Sequence, residues 1–126
     1  MELITKLYVA DDEGVKYMGI GVLWLMERIR DTGSLRQAAI SMGLSYSKAY
    51  GMISNLEKNL GRTVIERKKG GSSHEGASLT PFALEYMKLY NEFQEEAKQA
   101  ASGIFDIFRK KAEALMEEKD DSESAV

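Results

Sequence analysis

Apolar residues recur at three- and four-residue steps in four stretches of this chain, and β-branched or aromatic residues cluster in three shorter ones. The first short stretch, residues 3–9 (LITKLYV), alternates loosely and predicts a strand. Turn chemistry follows at Asp11, Asp12, Glu13 and Gly14, and residues 15–18 predict the return strand of a hairpin. Gly19 and Gly21 then precede a helical run to Thr32. Val22, Leu23, Leu25, Met26 and Ile29 share its inner face, Trp24 stands at the core edge, and Glu27, Arg28, Arg30 and Asp31 lie outside. Gly33 has the position of a helix-ending residue.

Residues 34–61 predict two short helices around a tight turn. Ser34 caps the first, and Gln37, three residues on, fits a capping box. Gly43 supplies a turn residue with positive φ, and Ser45 caps the second helix. Ala38 and Ala39 are small enough to let the two helices cross closely. This is the layout of a helix-turn-helix, whose second helix lies in a DNA major groove. In that helix Ala49, Met52, Ile53, Leu56 and Leu60 form the core stripe. Ser47, Gly51, Ser54, Asn55 and Lys58 face outward, with Lys48 and Tyr50 on the flanks. Such a small, polar, lightly basic face suits close approach to base edges and phosphates. A merely solvated face is the rival reading for an isolated helix, and the neighbouring segments decide against it.

Residues 62–67 predict a strand, residues 68–76 a Gly- and Ser-rich loop, and residues 77–79 a second strand. A β-hairpin directly after a helix-turn-helix is a wing. Arg67, Lys68 and Lys69 at its entrance are placed to neutralise phosphates. The loop lacks the Gly-Lys-Ser/Thr sequence and the following helix of a nucleotide-binding loop. His74, the single histidine, reads as a surface loop residue.

Charge sharpens this picture. The net charge is −3. Between Arg28 and Lys69, however, nine bases stand against three acids, a net of +6, and the acidic excess sits near residues 11–13 and after residue 111. A basic middle with acidic ends is compatible with one face meeting phosphate. The absence of cysteine excludes disulfides and thiolate metal sites and fits a reducing compartment. The carboxylates at 11–13 lack calcium-loop spacing, so the expectation is no metal and no cofactor. One loop histidine and no convergent carboxylate pair leave no catalytic residue to name, and the chain is read as a non-enzyme. With no apolar run long enough for a bilayer and no signal peptide, the expected location is cytoplasmic.

Thr80 and Pro81, the only proline, open the last helix, which runs to about residue 118. Tyr86, Tyr90, Phe93, Ala97, Ala100, Ile104 and Phe108 form a continuous apolar stripe that Ala112 and Leu115 extend. A helix this long needs a partner for its far half. The simplest is the same helix of a second subunit, and the rival is a fold back onto its own domain. Residues 119–126 are acidic and Ser-rich and read as a disordered tail.

Taken in order, GSLRQAA at 33–39, GLSYSKAY at 43–50, LEKNLG at 56–61, ERKKGG at 66–71 and LTP at 79–81 resemble the winged helix of LysR-type regulators. The SYxxAY segment and the Gly-rich wing are most similar to the N-terminal DNA-binding domain of molybdate-dependent (ModE-type) transcriptional regulators, over roughly residues 3–108. The resemblance implies a homodimer on a pseudopalindromic operator, the second helix in the major groove and the wing on the flanking backbone. Carried over by position, it implies contacts from Ser45, Tyr46, Ser47, Lys48, Tyr50, Arg67 and Lys68. Full-length molybdate regulators carry C-terminal oxyanion-binding domains. This chain stops shortly after the long helix, so the expectation is a regulator without its own molybdate-binding domain and with no evident small-molecule site.

The fold class expected is mainly α: an N-terminal β-hairpin, a winged helix-turn-helix over residues 1–80, and a long dimerisation helix over 81–118. The function expected is that of a homodimeric, sequence-specific transcriptional regulator. Arg36, Lys48, Lys58, Arg67, Lys68 and Lys69 would hold phosphates, and Ser47, Tyr50, Ser54 and Asn55 would read bases. The alternative is a winged-helix protein-interaction module that does not bind DNA, for which the negative total charge is the main support.

Overall fold

The structure, a computed structural model, describes residues 1–70 and 74–118; for residues 68–70, 74 and 75 it describes the backbone alone. The element order is β1 (Val9–Ala10), β2 (Lys16–Met18), α1 (Ile20–Thr32), α2 (Leu35–Ser41), α3 (Tyr46–Leu60), β3 (Ile65–Gly70), β4 (His74–Leu79) and α4 (Pro81–Glu117). Two compact units result: Lys6–Asn91, and Met1–Thr5 with the described residues from Glu92 onward. Among the described residues no helix is long and apolar enough to cross a membrane.

The helix boundaries follow local chemistry. Ser34 Oγ accepts from the Gln37 N–H at 3.1 Å, and Ser45 Oγ accepts from the Lys48 N–H at 3.1 Å. Only half of the expected capping box forms at α2, because Thr32 Oγ1, not Gln37, accepts from the Ser34 N–H. Gly33 closes α1 with φ 68° and an N–H bond to the Ile29 carbonyl. Gly43 turns α2 into α3 at φ 68°, a conformation that L side chains resist.

The core of the Lys6–Asn91 unit is built from Leu23, Leu25, Met26 and Ile29 of α1, Leu35, Ala38 and Ala39 of α2, and Ala49, Ile53 and Leu56 of α3. Val64 and Ile65 seal it from the wing side. Each large apolar side chain buried here contributes roughly 1.5–3 kcal/mol. Trp24, expected at the core edge, is 47% exposed. Of the expected strand over 3–9 only Val9 is strand, and β1 continues to Ala10 outside that range. Its partner β2 has three residues and ends at Met18, before the α1 cap at Gly19, so among the described residues no strand lies beside residues 3–8. The Asp11 carboxylate accepts from the Glu13 and Val15 N–H groups and closes this short hairpin. The Tyr8 ring lies against Gly19, where a Cβ would stand 2.5 Å from Tyr8 Cδ1.

The wing is longer than expected. Residues 68–70 and 74–76, read as loop, are paired: Lys68 with Gly76, Lys69 with Glu75, Gly70 with His74. Backbone ladder bonds override the turn-forming composition there. Residues 71–73 and the expected disordered tail, 119–126, lie outside the described residues. At the wing's base Glu57 Oε2 accepts from the Val64 N–H at 2.7 Å and the Ile65 N–H at 3.3 Å. The Ala77 N–H donates to the Gly33 carbonyl, so the wing is tied both to α3 and to the α1–α2 turn.

Thr80 opens α4 as expected. Its Oγ1 accepts from the Ala83 N–H and donates to the Thr63 carbonyl. The first turns of α4 then complete the domain core through Ala83, Met87 and Tyr90. Two residues expected at a dimer interface make contacts inside this unit. Tyr90 is 3% exposed and donates its hydroxyl to the Leu7 carbonyl at 2.9 Å. Tyr86 packs half-buried against the same core and stacks on Phe82 at 6.2 Å. The stripe is continuous, but its first part is consumed within the chain's own domain.

Burial, and then the neighbouring Tyr17 and Tyr90, push the Tyr86 phenol up to about 12 from an ordinary value of 10.0. A pKa raised in the folded state gives stability that is complete below pH 10 and is lost as pH climbs from 10 towards 12. Phenolate absorbance should therefore include a contribution that titrates late, and Tyr86→Phe should remove that contribution and its share of the alkaline loss of stability. A Tyr86→Phe protein whose late absorbance matched the wild type in amplitude would contradict this.

Candidate nucleic-acid interface

The outward face of α3 carries the predicted residues in a graded way. Ser47, Lys48, Gly51 and Lys58 are exposed, Ser54 is half-buried, and Ser47, Gly51, Ser54 and Lys58 follow one another at helical spacing along one side. Ser45 is exposed, but its oxygen is already engaged as the helix cap. Asn55 does not stand free. Its Nδ2 donates to the Lys16 carbonyl at 3.3 Å, and its Oδ1 accepts from Asn59 Nδ2 at 3.2 Å. The amide that seemed suited to adenine instead fastens the N-terminal hairpin to α3, across 39 residues of sequence.

At the N-terminal end of α3 four of the predicted residues form a ladder. The Arg36 guanidinium of α2 sits 4.8 Å from the Tyr46 ring centroid. Tyr46 stacks on Tyr50 one turn later, at 6.3 Å between centroids and 27° between planes. The Arg67 guanidinium of β3 lies 5.0 Å from the Tyr50 centroid. Cation–π attraction of this kind is worth roughly 0.5–1 kcal/mol at exposed sites. No carboxylate among the described residues pairs with either arginine. Their positive charge is thus held in place, with no carboxylate partner among the described residues.

Arg36, Tyr46 and Arg67 also line a cleft of about 550 Å³ with Ser34, Gln37 and Gly76. Ser34, Gln37 and Gly76 were missed as site residues, because a cap and a wing strand betray nothing of what they face until the wing is folded against the α1–α2 turn. A shallower groove of about 500 Å³ lies at the opposite end of α3, between Ser54, Lys58 and Arg62. The Arg62 guanidinium is steadied over Phe82 at 4.5 Å. A cleft with Arg36 and Arg67 at one end of α3 and a groove with Lys58 and Arg62 beside Glu57 at the other flank a low, polar helix face. The two places put positive charge on both sides of that face. The side chains of Lys68 and Lys69 lie outside the described residues, although their backbones place them on β3 just beyond Arg67.

Comparison with known proteins agrees with this geometry. The chain is 30% identical over 76 residues to the transcriptional regulator ModE of Haemophilus influenzae, which is 60% of this chain and 30% of that protein. It is 33% identical over 70 residues to the molybdenum transport protein ModE of Herbaspirillum seropedicae, 56% of this chain and 26% of that protein. The chain thus spans less than a third of the length of these curated relatives. Among solved structures, the CbnR DNA-binding domain in its DNA complex superposes with a TM-score of 0.52 at 22% identity, covering 77% of this chain and 99% of that one. The BenM DNA-binding domain on its benA site 1 DNA gives 0.51 at 20% identity, covering 71% and 96%. These likenesses show a shared winged-helix fold. Residues 22–84 match the family described as bacterial regulatory helix-turn-helix protein, lysR family, and since they make up half of the sequence, the chain belongs to that family.

Proposed function

We propose that this chain reads DNA for a transcriptional regulator and works as a homodimer on a pseudopalindromic operator. The observation that carries the reading is the exposed Ser47–Gly51–Lys58 side of α3, bracketed by the Arg36–Arg67 cleft and the Lys58–Arg62 groove. Family membership and the named DNA complexes of its structural neighbours support it. Ser47 and Ser54 are the direct base readers in this reading, Lys48, Lys58, Arg36 and Arg67 hold phosphates, and Lys68 and Lys69 extend that contact along the wing. Asn55 is a positioning residue.

The dimer forms through the outer part of α4. There Phe93, Ile104, Ile107 and Phe108 are 47%, 71%, 58% and 60% exposed, beside the smaller Ala97 and Ala100. An apolar stripe of this extent is unstable in water unless covered. The roles of these residues are thus DNA recognition and pairing of two copies, and no described residue of this chain is assigned to molybdenum.

Electrophoretic retardation of genomic fragments at several salt concentrations tests the proposal. Sequence-selective retardation is expected, with Lys48→Ala weakening all sequences alike and lowering the salt slope by about one. Absence of retardation even at low salt contradicts it.

A further inference from the structure

We propose that Tyr50 acts on DNA binding through Arg67, as the residue that fixes the wing's guanidinium against the recognition helix; this rests on the DNA-binding reading above. Tyr50 does not belong to the core: it is 47% exposed, and its ring contacts are to Tyr46 and the Arg67 guanidinium. A structural explanation for a large aromatic at this place is therefore weak. Arg67 in turn has no carboxylate among the described residues to orient it. Its backbone is set by pairing with Ala77, whose N–H is bonded to the Gly33 carbonyl, so the strand is anchored while a long side chain is left to find its direction. The Tyr50 ring supplies that direction. An arginine side chain loses rotamer freedom when it grips a phosphate, and one already stacked has less to lose. The same contact ties the wing to α3, so that a shift of the recognition helix in its groove carries the wing's charge with it.

The experiment is a double-mutant cycle on a bound DNA fragment, with Tyr50→Phe as the conservative control. Tyr50→Leu should weaken binding about two- to five-fold, the size of one exposed cation–π contact. Tyr50→Phe, which keeps the ring, should bind like the wild type. Tyr50→Leu should cost nothing further in an Arg67→Ala background. In the free protein, the Arg67 side-chain methylene resonances should be ring-shifted in the wild type and in Tyr50→Phe, and unshifted in Tyr50→Leu. Independent, additive losses would overturn the proposal by making Tyr50 a DNA contact in its own right. A Tyr50→Phe as weak as Tyr50→Leu would overturn it in favour of the hydroxyl, and unshifted wild-type resonances would overturn it outright. A wild-type protein that binds no DNA removes the DNA-binding reading itself, whereas failure of the coupling alone removes only this inference.

Discussion

Gly51→Leu should bind its operator on the order of 100-fold more weakly than the wild type while unfolding at the same temperature or a higher one. The two effects have opposite signs because the position matters to different partners. Gly51 stands in the middle of α3, where glycine costs roughly 1 kcal/mol against a good helix former. A Cβ there would meet nothing within 4 Å, so the protein's own packing does not ask for glycine. The residue lies between Ser47 and Ser54 on the side proposed to enter the groove. A leucine side chain would hold the helix backbone off the base edges and remove contacts worth about 1–3 kcal/mol apiece, two of which amount to roughly two powers of ten. Gly51→Ala should show the same pattern in miniature. Thermal unfolding and DNA titration on one preparation decide the matter. Unimpaired binding by Gly51→Leu would move the DNA to another surface, and a lowered unfolding temperature would mean the glycine serves the fold.

The second large effect concerns the outer part of α4. Replacing Ile104 and Phe108 together by glutamate should leave the protein monomeric at any concentration tested and lower its affinity for a two-half-site operator by about 10²–10⁴-fold, the range over which linked sites exceed single ones. These residues are four apart and so share a face, at 71% and 60% exposure in the single chain. Surface substitutions of this kind change stability by no more than about 0.5 kcal/mol, so the domain itself should unfold normally. In the dimer the same positions would bring like charges into an apolar seam, at a cost that a stripe of this size does not offset. Light scattering after gel filtration reads the first effect. Titration of a single half-site, where the variant should match the wild type, isolates the second. A variant that remains dimeric places the subunit contact elsewhere.

The parts of the fold that were legible in the sequence are those settled within a turn or two of chain. Ser34, Ser45 and Thr80 cap helices, and Gly33 and Gly43 end or turn them, because those jobs depend on backbone groups three or four residues away. What escaped were effects of distant partners. Residues 3–8 have the composition of a strand but no strand among the described residues to pair with, and the glycine-rich wing pairs in spite of its composition because the opposite strand is there. The helical stripe of α4 was correct as a pattern, yet the pattern is blind to which surface covers it. Tyr90 lies in the core and Tyr86 packs half-buried against it for that reason. The contact of Asn55 with the Lys16 carbonyl was hidden for the same reason, since the two lie 39 residues apart. Each arginine and tyrosine of the ladder was picked out singly. Their arrangement in alternating contact belongs to the tertiary fold, which brings α2, α3 and β3 together.

The central claim is that two copies present their α3 faces to one side of a duplex. Hydroxyl-radical footprinting on DNA selected by the protein tests it most directly. Two protected patches of equal strength, centred about one helical turn (roughly 34–36 Å) apart and lost together in Gly51→Leu, are the expected result. A single patch, or protection that survives Gly51→Leu undiminished, would contradict it.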